Sequence, residues 1–418
     1  AALMATTLVQ LWLCLRHIRC VQHHRNTVPE AFARDISAET HTKAADYTVA
    51  RTWLAAADAG WNSLVILAFT LGGGLDAIAS FLAGIVDAQG YAHGILLVGT
   101  VFALGFLADF PVMWYRRFAI DGRFGFNRAN LAMFLGDRVK ALLVTAVFGL
   151  PLLLLVLWLM ARMGQWWWLY ASVAWITFQL LLYAMYPAFI SPLFNKFKPL
   201  ENEALELRIR AALARCGYRD CRADVMDGSR RSSHVNAYFT GLGASQRIVL
   251  FDTLINSLTP AEIEAVIAHE VGHMRHRHIA KRLLWSGVAS LGLFAVLGWL
   301  IQEPWFAAGL GVKDDSAAME LVLFFIAVSV FGFPFRWISN LYSRRHEFEA
   351  DAFAATHSSA DDLANALLKL YGHNATTLTP DPLHSTFYDT HPPAALRISR
   401  LRAHTDLARQ KRSNWLRV

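Results

Sequence analysis

The stretch "AHEVGH" sets His269, Glu270 and His273 at a spacing that suits one ion and one water. Residues 261–281 read as a helix. Pro260 stands at its start, Glu262 and Glu264 fill its first turns, and no proline interrupts it. On a helix, positions i and i+4 share a face about 5–6 Å apart, so both imidazoles can reach the same cation. Glu270 lies about 100° around the axis, beside the ion's water but outside the ligand set. That chemistry is hydrolysis, with two imidazoles on zinc and a carboxylate as general base. His276 shares the face of His269 and reads as a solvated histidine near the site. His278 carries no stronger signal.

Catalytic zinc needs a third protein ligand and an open position for water. A metzincin pattern would place Gly at 276 and His at 279, but the chain has His276 and Ile279. A thermolysin-like pattern takes a glutamate from a later helix instead. "SRRHEFEADAFA", residues 343–354, offers Glu347 and Asp351 at i and i+4. Glu347 is the expected third ligand, and Glu349 is the fallback. Asp351 is expected to accept the N–H of a ligating imidazole and so fix its tautomer. Alone, these acids would read as a solvated helix face. The histidine pair, on the same side of a membrane, turns the reading toward one site.

The membrane follows from composition. The chain has 418 residues, 55% hydrophobic and only 17% charged, against about 25% charged in a typical soluble domain. Six apolar runs stand out, at Trp61–Ala83, Tyr91–Met113, Ala141–Ala161, Trp166–Ile190, Leu283–Gln302 and Leu321–Phe335. The last is expected to begin near Ala318 and to run past Arg336. Residues 1–13 are apolar but too short for about 30 Å of hydrocarbon, and read as the tail of a clipped first span, making seven. Asp76 and Asp109 lie within runs and should face protein or a water-filled space. The four cysteines, Cys14, Cys20, Cys216 and Cys221, read as reduced and structural.

Basic residues alternate across the connections. Residues 16–60 carry six Lys or Arg, 84–90 none, 114–140 six, 162–165 one, 191–282 many and 303–320 one. The positive-inside rule then puts the N-terminus outside and the C-terminus, with the zinc site, in the cytoplasm. The net charge of +7 follows this topology, so nucleic acid is not an expected partner. The expected division is 1–190 for spans 1–5, 191–282 for the first half of a protease domain, 283–342 for spans 6–7, and 343–418 for the second half. The fold class is an all-α multi-pass membrane protein, about seven transmembrane helices enclosing a chamber. It carries a split zincin-like cytoplasmic domain, α-helical with a small β-strand edge.

Several motifs resemble those of the integral-membrane CAAX prenyl protease type I (sterile-24) family of zinc metallopeptidases. They are "FGFN" (124–127), "SPLFNKFKPL" (191–200), "NAYFTG" (236–241), "RIVLFDTL" (247–254), the zinc motif, "SRRHEFEAD" (343–351) and "HPP" (391–393). HtpX-type stress proteases share the zinc motifs but have fewer spans. The resemblance implies a large water-filled chamber with the zinc site at its cytoplasmic end. It implies that Asn236, Ala237 and Tyr238 belong to an edge strand that pairs with an extended peptide, an edge being able to grip any sequence. It also implies that His391 donates to the developing oxyanion, and that Arg397 supports it or binds a substrate carboxylate.

The expected cofactor is one Zn2+ per chain. The expected partners are the lipid bilayer and a peptide or protein substrate, with a prenylated C-terminus the substrate the resemblance implies. Two other readings stand beside this one. A membrane quality-control protease would share the machinery without prenyl specificity. A metal transporter would place its ligands at bilayer depth, whereas here they lie in a charged segment.

Overall fold

A computed structural model of the chain describes residues 1–219, 221–241 and 246–415, with side chains through residue 405. Four helical stretches are long and apolar enough to cross a membrane: Tyr91–Arg123, Leu131–Arg162, Gly164–Phe194 and His278–Leu300. Two more qualify as bent pairs, Ala38–Phe69 with Gly74–Ala83 at 48° and Ala317–Phe331 with Phe333–His357 at 45°. Ala2–His23, less apolar, packs along Ala38–Phe69 and brings the set near the expected seven. Outward faces of these helices expose Phe102, Leu107, Leu143, Val147 and Trp285, more apolar surface than a protein in water displays. Inward faces bury Leu75, Leu97, Ala171, Leu297 and Leu323 in one core. Between spans, Gln179 accepts from Ser286 Oγ at 2.9 Å and donates to Ser290 Oγ at 3.2 Å. Such a polar clamp suits helices whose apolar faces gain nothing by leaving lipid.

Helix ends depart from the apolar runs. The run ending at Met113 continues as helix to Arg123 through a π-type stretch, Tyr115–Ile120. Hydropathy marks membrane depth, whereas a helix stops where backbone conformation changes, here near Gly125 at φ 79°. The stretch expected as one helix over 261–281 is two, Pro260–Arg275 and His278–Leu300. They join at Arg277, whose φ is 53°. No Gly, Asn or Pro marks that break, so the sequence carries no sign of it. Asp76 faces protein, the first of its two expected surroundings. It accepts from the N–H of Lys313 at 2.9 Å and of Asp314 at 3.3 Å, fixing the loop between the last two spans. All four cysteines are free.

The polar region contains a four-stranded sheet in the order β1 (Phe197–Pro199), β2 (Arg222–Met226), β4 (Arg247–Phe251), β3 (Ala237–Thr240). Strands β2 and β4 run parallel; β1 and β3 are antiparallel to their neighbours. In β4, Ile248, Val249 and Leu250 are fully buried, as suits an inner strand covered on both faces. Strand β3 lies at the edge, with no second neighbour among the described residues. One apolar core joins residues on both sides of the last two spans: Ile209, Ile248 and Ile267 from before them, Ala354, Leu368 and Ile398 from after.

Candidate active site

Pro260–Arg275, the histidine helix, begins with a capping box. Thr259 Oγ1 accepts from the N–H of Glu262 at 3.3 Å, and Glu262 Oε2 accepts from that of Thr259 at 2.7 Å. This fixes where the helix starts, and so where each later residue faces. Its neighbour is Arg336–His357, the glutamate helix. The two come so close at Gly272 that an added Cβ would stand 2.9 Å from Ala350 Cα. The glycine within "HEVGH" therefore allows the approach that brings Glu347 opposite the histidines.

Three ligand residues converge there. His269 Nε2 and His273 Nε2 are 3.2 Å apart. Glu347 offers Oε2 at 3.7 Å from the first and Oε1 at 3.5 Å from the second. Ligand atoms about 2.0–2.2 Å from one tetrahedral ion stand roughly 3.3–3.6 Å apart, so the set fits zinc. Two nitrogens and a carboxylate oxygen are also the donor types zinc takes in hydrolases. The fallback ligand, Glu349, points away from this cluster and lies 3.0 Å from His278 Nε2. His276 is partly exposed and lies against the His278 and Phe353 rings.

Behind the triad stands a buried carboxylate–guanidinium pair. His269 Nδ1 lies 2.9 Å from Asp351 Oδ1. Arg397 donates to both Asp351 oxygens, at 2.8 and 2.6 Å, and its third nitrogen is 3.2 Å from Glu347 Oε2. Arg397 thus has its donors on these two acids, where it can support the ligand set. Burial works against the Asp351 charge, but Arg397 and His269 outweigh it and bring the carboxyl down to about 2. Glu347 likewise stays well below the carboxylate range against burial, through His391, His269 and Arg397. Glu270 goes the other way. Burial, with Glu347 adding to it, pushes it up to about 7. A divalent cation beside it would favour the ionised form again.

His391 reaches the triad from the opposite direction. Its side chain is 63% exposed, and Nδ1 lies 2.8 Å from Glu347 Oε2. Nε2 is thus the nitrogen left to face the open space. A cavity of about 670 Å³ adjoins the site, lined among others by Arg51, Asn236, Tyr371, His391 and Arg397. On its rim runs β3. Asn236 C=O accepts from Phe251 N–H at 3.1 Å, and Tyr238 sits opposite Val249. The antiparallel alternation then turns the backbone groups of Ala237 and Phe239 outward. Ala237 N–H is covered by the Asn236 side chain at 2.9 Å.

Two residues the sequence did not single out hold these parts in place. Asn374 donates to Val235 C=O at 3.0 Å and accepts from its N–H at 2.8 Å, fixing the entry to β3. Tyr371 OH donates to Pro392 C=O at 3.3 Å, fixing the turn that carries His391. A Tyr in the last turn of Ala360–His373 and the Asn that follows that helix carry no sequence signal that would mark them as parts of the site.

The chain is similar to known proteins over most of its length. The family described as CAAX prenyl protease N-terminal, five membrane helices, matches residues 17–196, and peptidase family M48 matches residues 199–405. CAAX prenyl protease 1 of Saccharomyces cerevisiae is 32% identical over 339 residues, covering 77% of this chain and 74% of that one. The CAAX prenyl protease 1 homolog of Dictyostelium discoideum is 34% identical over 290 residues, 68% of this chain and 67% of its own. The crystal structure of S. mikatae Ste24p superposes with a TM-score of 0.88 at 30% identity, covering 96% of this chain and 97% of that one.

Proposed function

This chain belongs to the CAAX prenyl protease family of M48 metallopeptidases, and we propose that it removes C-terminal peptide from prenylated proteins with one zinc ion held by His269, His273 and Glu347. It is a zinc-dependent endopeptidase of the membrane, acting on peptide or protein substrates. The observation that carries the site assignment is the convergence of three ligand atoms from two helices beside a cavity and an open strand edge. The names of the relatives support the prenylated substrate.

When bound, zinc supplies a Lewis acid for the scissile carbonyl and makes water more acidic. The residues do the rest. The outward backbone groups of Ala237 and Phe239 pair with the extended substrate, the Asn236 side chain yielding Ala237 N–H. Glu270 takes the proton from the attacking water and passes it to the leaving amine. His391 Nε2 donates to the developing oxyanion. Because Nδ1 faces Glu347, that donation needs a ring carrying both protons. Asp351 fixes the His269 tautomer, and Arg397 holds Asp351 and Glu347 in register.

Cleavage of a farnesylated C-terminal peptide against its unmodified twin tests the substrate assignment. Faster turnover of the farnesylated peptide is expected. Equal rates would remove prenyl specificity and leave a general membrane protease.

A further inference from the structure

We propose that His278 and Glu349 form a relay that orients the zinc ligand His273, as Asp351 does directly for His269. His273 Nδ1 and His278 Nδ1 are 2.9 Å apart, and His278 Nε2 lies 3.0 Å from Glu349 Oε2. This rests on the reading of His273 as a ligand. With Nε2 turned to the ion, His273 carries its proton on Nδ1. Its partner there is His278 Nδ1, which must accept. The remaining His278 proton then sits on Nε2 and goes to Glu349. Each hydrogen bond thereby fixes the direction of the next, and the chain ends on a carboxylate.

The fold is built around this contact. In an unbroken helix, a residue five positions on would face about 140° away from His273. The left-handed turn at Arg277 brings His278 back beneath it. The His278 ring is then clamped between two others. His346 stacks on it at 3.9 Å and 11°, and His276 lies parallel at 5.5 Å and 12°. The ring is 2% exposed, so its orientation is set. Glu349 is held from outside by Arg345 at 3.0 Å and faces Lys281 at 3.9 Å.

His276, His278 and Glu349 also resemble a second metal site, since their ligand atoms lie within 4.8 Å of one another. The geometry favours the relay. Parallel rings aim their in-plane lone pairs side by side, not at a common point, and both His278 nitrogens already have partners.

Zinc affinity of the purified full chain, by chelator competition, tests the relay, together with the absorption spectrum of the cobalt-substituted protein. Glu349→Ala should weaken zinc by about 10–100-fold and shift the cobalt bands, and Glu349→Gln should restore most of both. His278→Phe keeps the stacked ring without its hydrogen bonds and should match Glu349→Ala. The double variant should be no worse than either single one, because one chain is broken once. Arg345→Ala should leave affinity at the parent value. Unchanged affinity in Glu349→Ala, losses that multiply in the double variant, or an equal loss in Arg345→Ala would each overturn the relay. So would a second equivalent of zinc that disappears with His278→Phe. His273→Ala separates the two readings. If it keeps parental affinity the ligand assignment itself fails, whereas failure of the relay alone leaves it defective.

Discussion

Glu270 is the carboxylate beside the ligand triad that does not join it, and burial, with Glu347 adding to it, raises its affinity for a proton. Replacing it with Gln keeps its size and polarity, so zinc should remain at parental content while peptide cleavage falls about 10²–10⁴-fold. Metal analysis alongside turnover checks this, and cleavage retained in Glu270→Gln would reject the mechanism. His391 acts on a different quantity. Its donor matters when charge appears on the carbonyl oxygen, so His391→Ala should lower kcat about 10²–10³-fold with little change in KM. Steady-state kinetics separates the two; a rise in KM alone would make it a binding residue. Much at this scale was legible in the sequence. The i, i+4 pairs His269/His273 and Glu347/Asp351 announce shared helix faces, and the structure brings those faces together. His278 was not legible, because its position depends on a left-handed arginine that no residue type announces.

The helices meet at their smallest residue. Gly272 faces the backbone of Ala350, and its absent side chain sets the separation between the histidine and glutamate helices. Gly272→Val should push them apart, at about 1–3 kcal/mol for overpacking. Because the ligands sit on opposite helices, it should also weaken zinc more than it lowers the thermal midpoint of the metal-free protein. Thermal melting with and without chelator measures both. Equal midpoint losses in the two states would show that the contact carries stability but not site geometry. The edge strand was legible only through the family resemblance; four residues of β3 look like any short strand. That its outward groups are those of Ala237 and Phe239 needed the register against β4. The bends at Gly72–Gly74 and Gly332 were hidden for another reason. Apolar runs continue across them, since lipid selects for hydropathy and not for straightness.

The whole molecule depends on both halves of its polar region lying on one face of the membrane. They share an apolar core drawn from residues 200–274 and 354–401, with Phe32 and Ile36 added to it, yet are joined through two spans. Two spans return the chain to the side it left, so the shared core and the span count agree without reference to charge. Charge then says which side. Residues 16–60 and 114–140 carry six Lys or Arg each and 84–90 carry none, a bias that holds basic loops in the cytoplasm. On that charge bias we propose that the site faces the cytoplasm. Cysteine labelling in intact cells, read against the parent's four free cysteines, tests it. Gln89 lies exposed in the 84–90 loop, which carries no Lys or Arg, and Glu201 is exposed beside β1. An impermeant maleimide should label Gln89→Cys in intact cells and Glu201→Cys only after permeabilisation. The reverse pattern would turn the protein over and place its zinc outside, where no cytoplasmic prenylated chain could reach it. Labelling of both from outside would break the pairing of core and span count, and with it the argument that one site is assembled from two separated stretches.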